Sequence, residues 1–476
     1  MALSVARHRR AAAAAPSSSS SSSSPERYTK EGKEGRRGEA EEGGGAMWWV
    51  VPMAALCMLR HMSATSNIIH DCDEVFNYWE PLHFLLYKSG FQTWEYSSEF
   101  ALRSYLYIFL HAIVAGPASK IFNEDKVRVF YSVRLFLGLI STITETMLVV
   151  ALSRRYGKRL AWYTLAMLCL TSGCFFASTS FLPSTFSMYA VTLSSALFLL
   201  RKYALAVSVA AAGVILSWPF SILVVLPVTV YSLIRGPFKQ VFLAGLLTSL
   251  SLLALSVFAD YYCYGRWTSS VFNLLKYNVL GVAHKEERFL YPIYPLICIA
   301  ATAVIDSFPD LFRDQFATDE SLIVKIAKGF RPLFLGLILC ASHSRTFSIL
   351  NGYSAPLQIY KHLEHHEEIG TGSLLCVGSE WHRYPSSFFV PSDIREVRWI
   401  DDGFRGLLPF PFNATLGGTK AAPPYFNNKN KAAEGQYLED IGACDLFGRA
   451  RLETSASCTR KQLVDMGDTG RYSFPR

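Results

Sequence analysis

The stretch "LFLGLISTITETMLVVALSRRYGKRLAWYTLAMLCL", residues 135–170, sets two apolar runs on either side of a loop that carries Arg154, Arg155, Lys158 and Arg159. A bilayer-spanning helix needs roughly 20 mostly apolar residues, and loops rich in Lys and Arg stay on the cytoplasmic side. The stretch therefore reads as two spans joined at a cytoplasmic turn. The pattern repeats along the chain. Arg201 with Lys202, and then Arg235 with Lys239, follow every second apolar run, whereas the connections around Phe181 and Trp218 hold no basic residue.

Working outward, apolar runs occur at 47–64, 131–152, 160–177, 184–200, 203–216, 220–234, 240–259, 290–305 and 332–350, which predicts an α-helical polytopic membrane protein of roughly nine spans. The count of basic loops places the N-terminus, with Arg7, Arg9 and Arg10, in the cytoplasm, and residues 65–130 on the luminal side. An odd number of spans leaves residues 351–476 luminal as well. Residues 101–121 are apolar enough to span, but counting them would put the Arg154–Arg159 loop on the wrong side. They are expected to lie along the membrane surface within a long first luminal loop.

The chain as a whole is 51% hydrophobic and 18% charged, an average of different regimes. Residues 1–46 hold an alanine run, the serines Ser17–Ser24 and interleaved charges, a composition that buries too little to fold. The expected organisation is a cytoplasmic leader 1–46, a membrane region 47–350 and a luminal C-terminal domain 351–476. No cleavable signal is expected before Met47, since the leader is polar; the first span would serve as an uncleaved anchor. In the tail, "SLLCVGSEW", "SSFFVP" and "REVRWI" read as short strands of a small α/β domain. Cys376, Cys444 and Cys458 would allow one disulfide in an oxidising lumen, and Asn413-Ala-Thr415 is a glycosylation sequon. The net charge of +8 comes with no basic face interleaved with stacking aromatics, which argues against nucleic acid. The cysteines lack metal-ligand spacing, so no zinc site is expected.

Two charged clusters would share the luminal edge of the membrane. In "HDCDEVFNYWEP", residues 70–81, Asp71, Asp73 and Glu74 precede aromatic residues that favour the interface. A carboxylate held against a poorly hydrated surface has a raised pKa and becomes a useful proton acceptor. A solvated loop flanking a helix start would read the same way, and Asp-x-Asp could also hold a divalent cation, although no third ligand or glycine loop is adjacent. In "HKEERFLYPIYP", residues 284–295, His284, Lys285 and Arg288 could neutralise a phosphate, with Glu286 and Glu287 orienting them. The alternative there is a belt of anchors that fixes a helix end. Arg134, near the luminal end of its span, is a further phosphate contact to consider. Glu145 lies within that span, where an ionisable group is costly.

These strings, with "YGRWTSSVFNLLKYNVLG" and "CVGSEWHRYPSSFFVP", resemble the endoplasmic-reticulum α-1,2-mannosyltransferases of asparagine-linked glycosylation over residues 47–447. The resemblance implies a GT-C glycosyltransferase fold that takes mannose from dolichyl phosphate mannose. The acceptor would be dolichyl-diphosphate oligosaccharide, extended by its seventh and ninth mannose, with inversion and with no metal or other cofactor. Its Asp-Glu pair maps onto Asp73 and Glu74, Asp73 being expected as catalytic base with Glu74 as rival, and its His-x-Glu-x-Arg-Phe signature onto His284, Glu286, Arg288 and Phe289. The chain departs from the family in one place. Between "KYNVLG" and "HKEERF" members carry a further luminal stretch and a pair of apolar helices, where this chain has only Val282 and Ala283. Losing a pair of spans preserves the topology but favours one alternative to an active enzyme, a non-catalytic membrane partner of the glycosylation machinery. A further alternative, a lipid or sugar transporter, would call for paired repeats and intramembrane ions, whereas no internal repeat is present and Glu145 alone is a clear intramembrane acid.

Overall fold

In a computed structural model the chain divides into two units, Met1–Trp48 and Trp49–Arg476. The structure describes residues 48–123, 125–280, 286–313, 322–363 and 372–448. Each of the nine predicted apolar runs is helical. The first forms Val50–Ser66, the second Lys126–Tyr156, and the third breaks at Thr171 into Lys158–Leu170 and Ser172–Ala177. Pro183–Leu199, Tyr203–Leu216, Ile222–Arg235 and Phe238–Tyr264 follow, then Tyr294–Ser307 and Leu322–Tyr353.

Among the described residues, four helical segments are long and apolar enough to cross a membrane: Tyr105–Phe122, Lys126–Tyr156, Phe238–Tyr264 and Glu287–Phe312. The first of these is the segment expected to lie on the membrane surface. Ser104 caps its start by accepting from the Leu106 amide, and at its end the Asp125 amide donates to the Phe122 carbonyl at 3.1 Å just before Lys126–Tyr156. Along Phe238–Tyr264, Phe242, Leu243, Leu246, Leu247 and Leu250 are exposed. A continuous apolar face of that kind marks a surface that contacts membrane or another protein. Where helices meet each other they do so through small residues. A Cβ on Gly138 would stand 3.2 Å from the Arg60 carbonyl, and one on Gly213 would collide with Ala190.

The tail forms a parallel sheet of β2 (Ser373–Val377), β3 (Ile394–Trp399) and β5 (Leu446–Gly448) in the order β3-β2-β5, β1 (Phe91–Gln92) and β4 (Phe410–Pro411) forming a separate antiparallel pair. Two of the three predicted tail strands are thus present. The third, "SSFFVP", is instead a 3-10 turn at Ser387–Phe389. The Ser386 hydroxyl caps that turn by accepting the Phe388 amide, and Phe388 and Phe389 are both buried. Cys376 and Cys444 are joined in a disulfide that ties β2 to the start of β5.

The tail shares its core with the first loop. Phe76, Trp79, Phe91, Tyr384, Phe388 and Trp399 belong to one buried aromatic cluster, and β1 from the loop pairs with β4 from the tail. The loop is therefore clamped between the membrane helices and the sheet.

Candidate active site

From Cys72 onward the acidic stretch is helical rather than a loop. Asp71 starts the run, its Oδ1 accepting the Asp73 amide at 2.8 Å. The turn Cys72–Glu74 then passes through a π-helical segment, Val75–Trp79, into Glu80–Tyr87. The wider π turn, a geometry often found at functional sites, leaves Val75, Phe76, Asn77, Tyr78 and Trp79 all buried.

Each polar side chain of this run is held by a different part of the chain. Asn77 accepts from Thr93 Oγ1 at 2.8 Å, and the Tyr78 hydroxyl accepts from Arg103 at 2.9 Å. Glu80, fully buried, accepts from the Ser386 hydroxyl, the Ser387 amide and hydroxyl, and the Phe91 amide, at 2.7–2.8 Å. Four donors compensate the burial of one carboxylate and weld the loop to the tail. Ser386 holds a φ of 133° to reach it, a conformation that costs a non-glycine residue energy.

The two acids expected as base separate clearly. The Glu74 side chain is enclosed, one oxygen accepting from Trp79 Nε1 at 3.2 Å and from the Phe181 amide at 2.8 Å. Burial holds its carboxyl up at about 6, against pull-back from Arg134 and from the Phe181 amide. The Asp73 side chain is 38% exposed and meets Arg288 at 2.6 Å. Arg288 also reaches Asp71 at 3.0 Å and pairs with Glu286. Its guanidinium, 14% exposed, is thus ringed by three carboxylates. The two sequence clusters, some 215 residues apart, form one site.

Asp71, pushed up by burial and pulled back by Arg288, lines a cavity of about 460 Å³ together with His70, Tyr353, His382 and Arg383. His70, hydrogen-bonded to Asn67 Oδ1 and edge-on to Phe176 at 4.4 Å, is kept neutral by burial, which lowers it to about 4. Phe289 stacks on Trp218 at 5.5 Å and fixes the signature segment against the helical bundle. His284, with Lys285 and the join at Gly281, lies outside the described residues. The sequon residue Asn413 sits in a turn, its Oδ1 accepting from the Thr415 amide and hydroxyl.

Arg134 is placed differently from a surface phosphate contact. It is fully buried and donates to the carbonyls of Asn67 and Ile68 at 2.6 and 3.4 Å, closing the end of the first helix just before the acidic run. Glu145 is paired with Arg60 in two hydrogen bonds of 3.0 Å. Arg60 was legible as a charge inside an apolar run; its partner was not. Asp71, Cys72 and Asp73 place ligand atoms within 4.8 Å of one another, but the carboxylates of Asp71 and Asp73 are both engaged by Arg288.

A sequence model of the Alg9-like mannosyltransferases matches residues 51–283 and 281–391. The chain belongs to the Alg9-like mannosyltransferase family. It is 60% identical to the α-1,2-mannosyltransferase ALG9 of Arabidopsis thaliana, covering 88% of this chain and 84% of that protein. It is 31% identical to ALG9 of Homo sapiens, over 82% of this chain and 77% of the human protein, and 28% identical to that of Saccharomyces cerevisiae, over 81% of each. No solved structure matches the chain at a significant level. The two family matches meet at residues 281–283, the join at which the chain is expected to depart from the family. The Arabidopsis alignment, 483 positions long, exceeds the whole 476-residue chain, so part of that Alg9-like relative faces no residue here.

Proposed function

We propose that this chain transfers mannose in α-1,2 linkage from dolichyl phosphate mannose to the lipid-linked oligosaccharide precursor of asparagine-linked glycans, at its seventh and ninth mannose. The reading places it in the endoplasmic-reticulum membrane as a GT-C enzyme of roughly nine spans, with the N-terminus cytoplasmic and the site and sheet-bearing tail luminal. The observation that carries it is the Arg288 guanidinium held between Asp73, Asp71 and Glu286 beside a cavity, in a chain of this family.

Asp73 acts as base. Its exposure leaves it reachable by a sugar hydroxyl, whereas Glu74 is sealed behind Trp79 and Phe181. Asp73 takes the proton of the acceptor mannose 2-hydroxyl, that oxygen attacks the donor's anomeric carbon, and the bond to the phosphate oxygen breaks with inversion from β to α. Dolichyl phosphate leaves as an anion that needs no protonating acid. In the substrate-free arrangement Arg288 neutralises Asp73. A donor phosphate would draw the guanidinium, and His284, to itself, stabilise the leaving charge and release Asp73 to accept a proton. Arg134 supports the site from behind by fixing residues 67–68 rather than by touching substrate. No step requires a metal or cofactor, so transfer should survive excess EDTA.

Transfer of labelled mannose by the purified chain tests the assignment. Asp73→Asn should lower kcat by about 10²–10⁴, and equal transfer by both proteins would overturn Asp73 as base. A second reading, a non-catalytic short form, is favoured by the break in the family match at 281–283. Restoring the missing stretch and comparing complementation of a strain lacking the enzyme separates the two.

A further inference from the structure

Two free thiols meet inside the helical bundle. Cys174 on Ser172–Ala177 and Cys298 on Tyr294–Ser307 are 1% and 4% exposed, and their sulfurs lie 3.8 Å apart. The backbones that carry them are close as well. A Cβ on Gly173, the residue before Cys174, would stand 2.9 Å from the Tyr294 ring, and Tyr294 shares a helix face with Cys298 four residues on. Their third neighbour is Thr171, whose hydroxyl lies 3.8 Å from the Cys298 sulfur. Thr171 is extended and partly exposed at the break between Lys158–Leu170 and Ser172–Ala177, so the buried pair touches a polar residue that meets the surroundings.

Neither thiol takes part in the transfer chemistry, yet their two helices frame it. Ser172–Ala177 runs on to Phe181, whose amide holds Glu74. On the other helix the Tyr294 hydroxyl donates to Glu287, the neighbour of Arg288, at 3.0 Å. A disulfide has its sulfurs about 2.05 Å apart, and rotation about the two Cα–Cβ bonds is the movement that closes the gap. A zinc ion would need further thiolate, imidazole or carboxylate ligands, whereas the third neighbour here is a hydroxyl.

We propose that Cys174 and Cys298 are a modification site: a dithiol that a peroxide converts to a disulfide, locking the helix that follows Arg288 to the helix that leads to Phe181. One thiol attacks the peroxide, and its sulfur becomes a sulfenic acid as the O–O bond breaks and one water leaves. The second thiol attacks that sulfur; the S–S bond forms, the S–O bond breaks and a second water leaves. The two thiols together lose two electrons, which the peroxide accepts. The effect of the lock on transfer rests on the reading above, in which Arg288 moves from Asp73 to the donor phosphate; the bond itself does not.

Peptide mass spectrometry of the purified full chain in detergent, treated with hydrogen peroxide and then alkylated without reduction, reads the bond directly. A peptide pair joined through Cys174 and Cys298 should appear, and dithiothreitol should remove it. Peroxide should also raise the unfolding temperature of the wild type by about 5 °C and leave those of Cys174→Ala and Cys298→Ala unchanged. Alkylation of both thiols after peroxide, or oxidation of either to a sulfinic acid without the joined pair, would overturn the site. In the transfer assay peroxide should lower kcat severalfold, dithiothreitol should restore it, and Cys174→Ala should respond to neither. A bond that forms with kcat unchanged would overturn the lock. A chain without any transferase activity would count against the proposed function, and mass spectrometry would still decide the site.

Discussion

At the scale of single residues, exposure separates acids that adjoin in sequence. Asp73 and Glu74 carry similar carboxylates, yet one meets solvent and an arginine and the other is enclosed. This difference yields a prediction about pH. Glu74 ionises near 6 in the folded chain, raised by burial from the usual 4.5, so the folded state retains a proton that the unfolded chain releases. Its stabilising effect is complete below about pH 4.5 and is lost as the pH rises through about 6, a change of about 2 kcal/mol. Glu74→Gln, which keeps an oxygen to accept from Trp79 and Phe181, should abolish that slope. Thermal unfolding of both proteins between pH 4.5 and 7.5 checks it; parallel curves would remove Glu74 as the titrating group.

Between elements, buried charges fix which helices adjoin. Arg60 on Val50–Ser66 and Glu145 on Lys126–Tyr156 are each about 1% exposed and pair at 2.9 Å. Arg60 also donates to the Leu168 carbonyl at 2.7 Å. Removing one partner strands the other charge in an apolar setting, at a cost of about 3–5 kcal/mol. Glu145→Met or Arg60→Met alone should therefore sharply lower the unfolding temperature, and the double variant should recover most of the loss. No recovery would show that the pair is not the unit of stability. Glu80 plays the corresponding part between loop and tail. Glu80→Ala leaves the Ser386, Ser387 and Phe91 donors without their shared acceptor, and limited proteolysis should then cut the tail faster than in wild type. The apolar pattern made the helices legible. The partners of Glu145 and Glu80 were not, because a pairing that spans 85 or 306 residues leaves no local periodicity.

For the whole molecule, topology is the quantity to test. If the tail is luminal, the turn at Asn413 is available for glycosylation in cells, and endoglycosidase treatment should shift the chain's mobility by one glycan. Asn413→Gln should remove the shift. A chain without a shift that also resists protease added to the luminal side would overturn the topology. The site's position follows from the same arrangement: the helical bundle delivers Arg288, the first loop delivers Asp71 and Asp73, and the tail walls the cavity with His382 and Arg383.

The sequence by itself determined the helices, the two strands at 373–377 and 394–399, the acidic run and the basic signature, because apolar runs, alternation and charge clusters are local patterns. It misread "SSFFVP" as a strand, where the Ser386 cap and the anchoring of Ser386 and Ser387 on Glu80 hold a 3-10 turn. Only the tertiary structure decided that Arg288 lies between Asp71 and Asp73, that Glu74 is sealed, and that Arg134 holds a helix end. These depend on which distant groups remain within reach after folding, and the desolvation that separates one carboxylate from its neighbour exists only once the chain has closed around it.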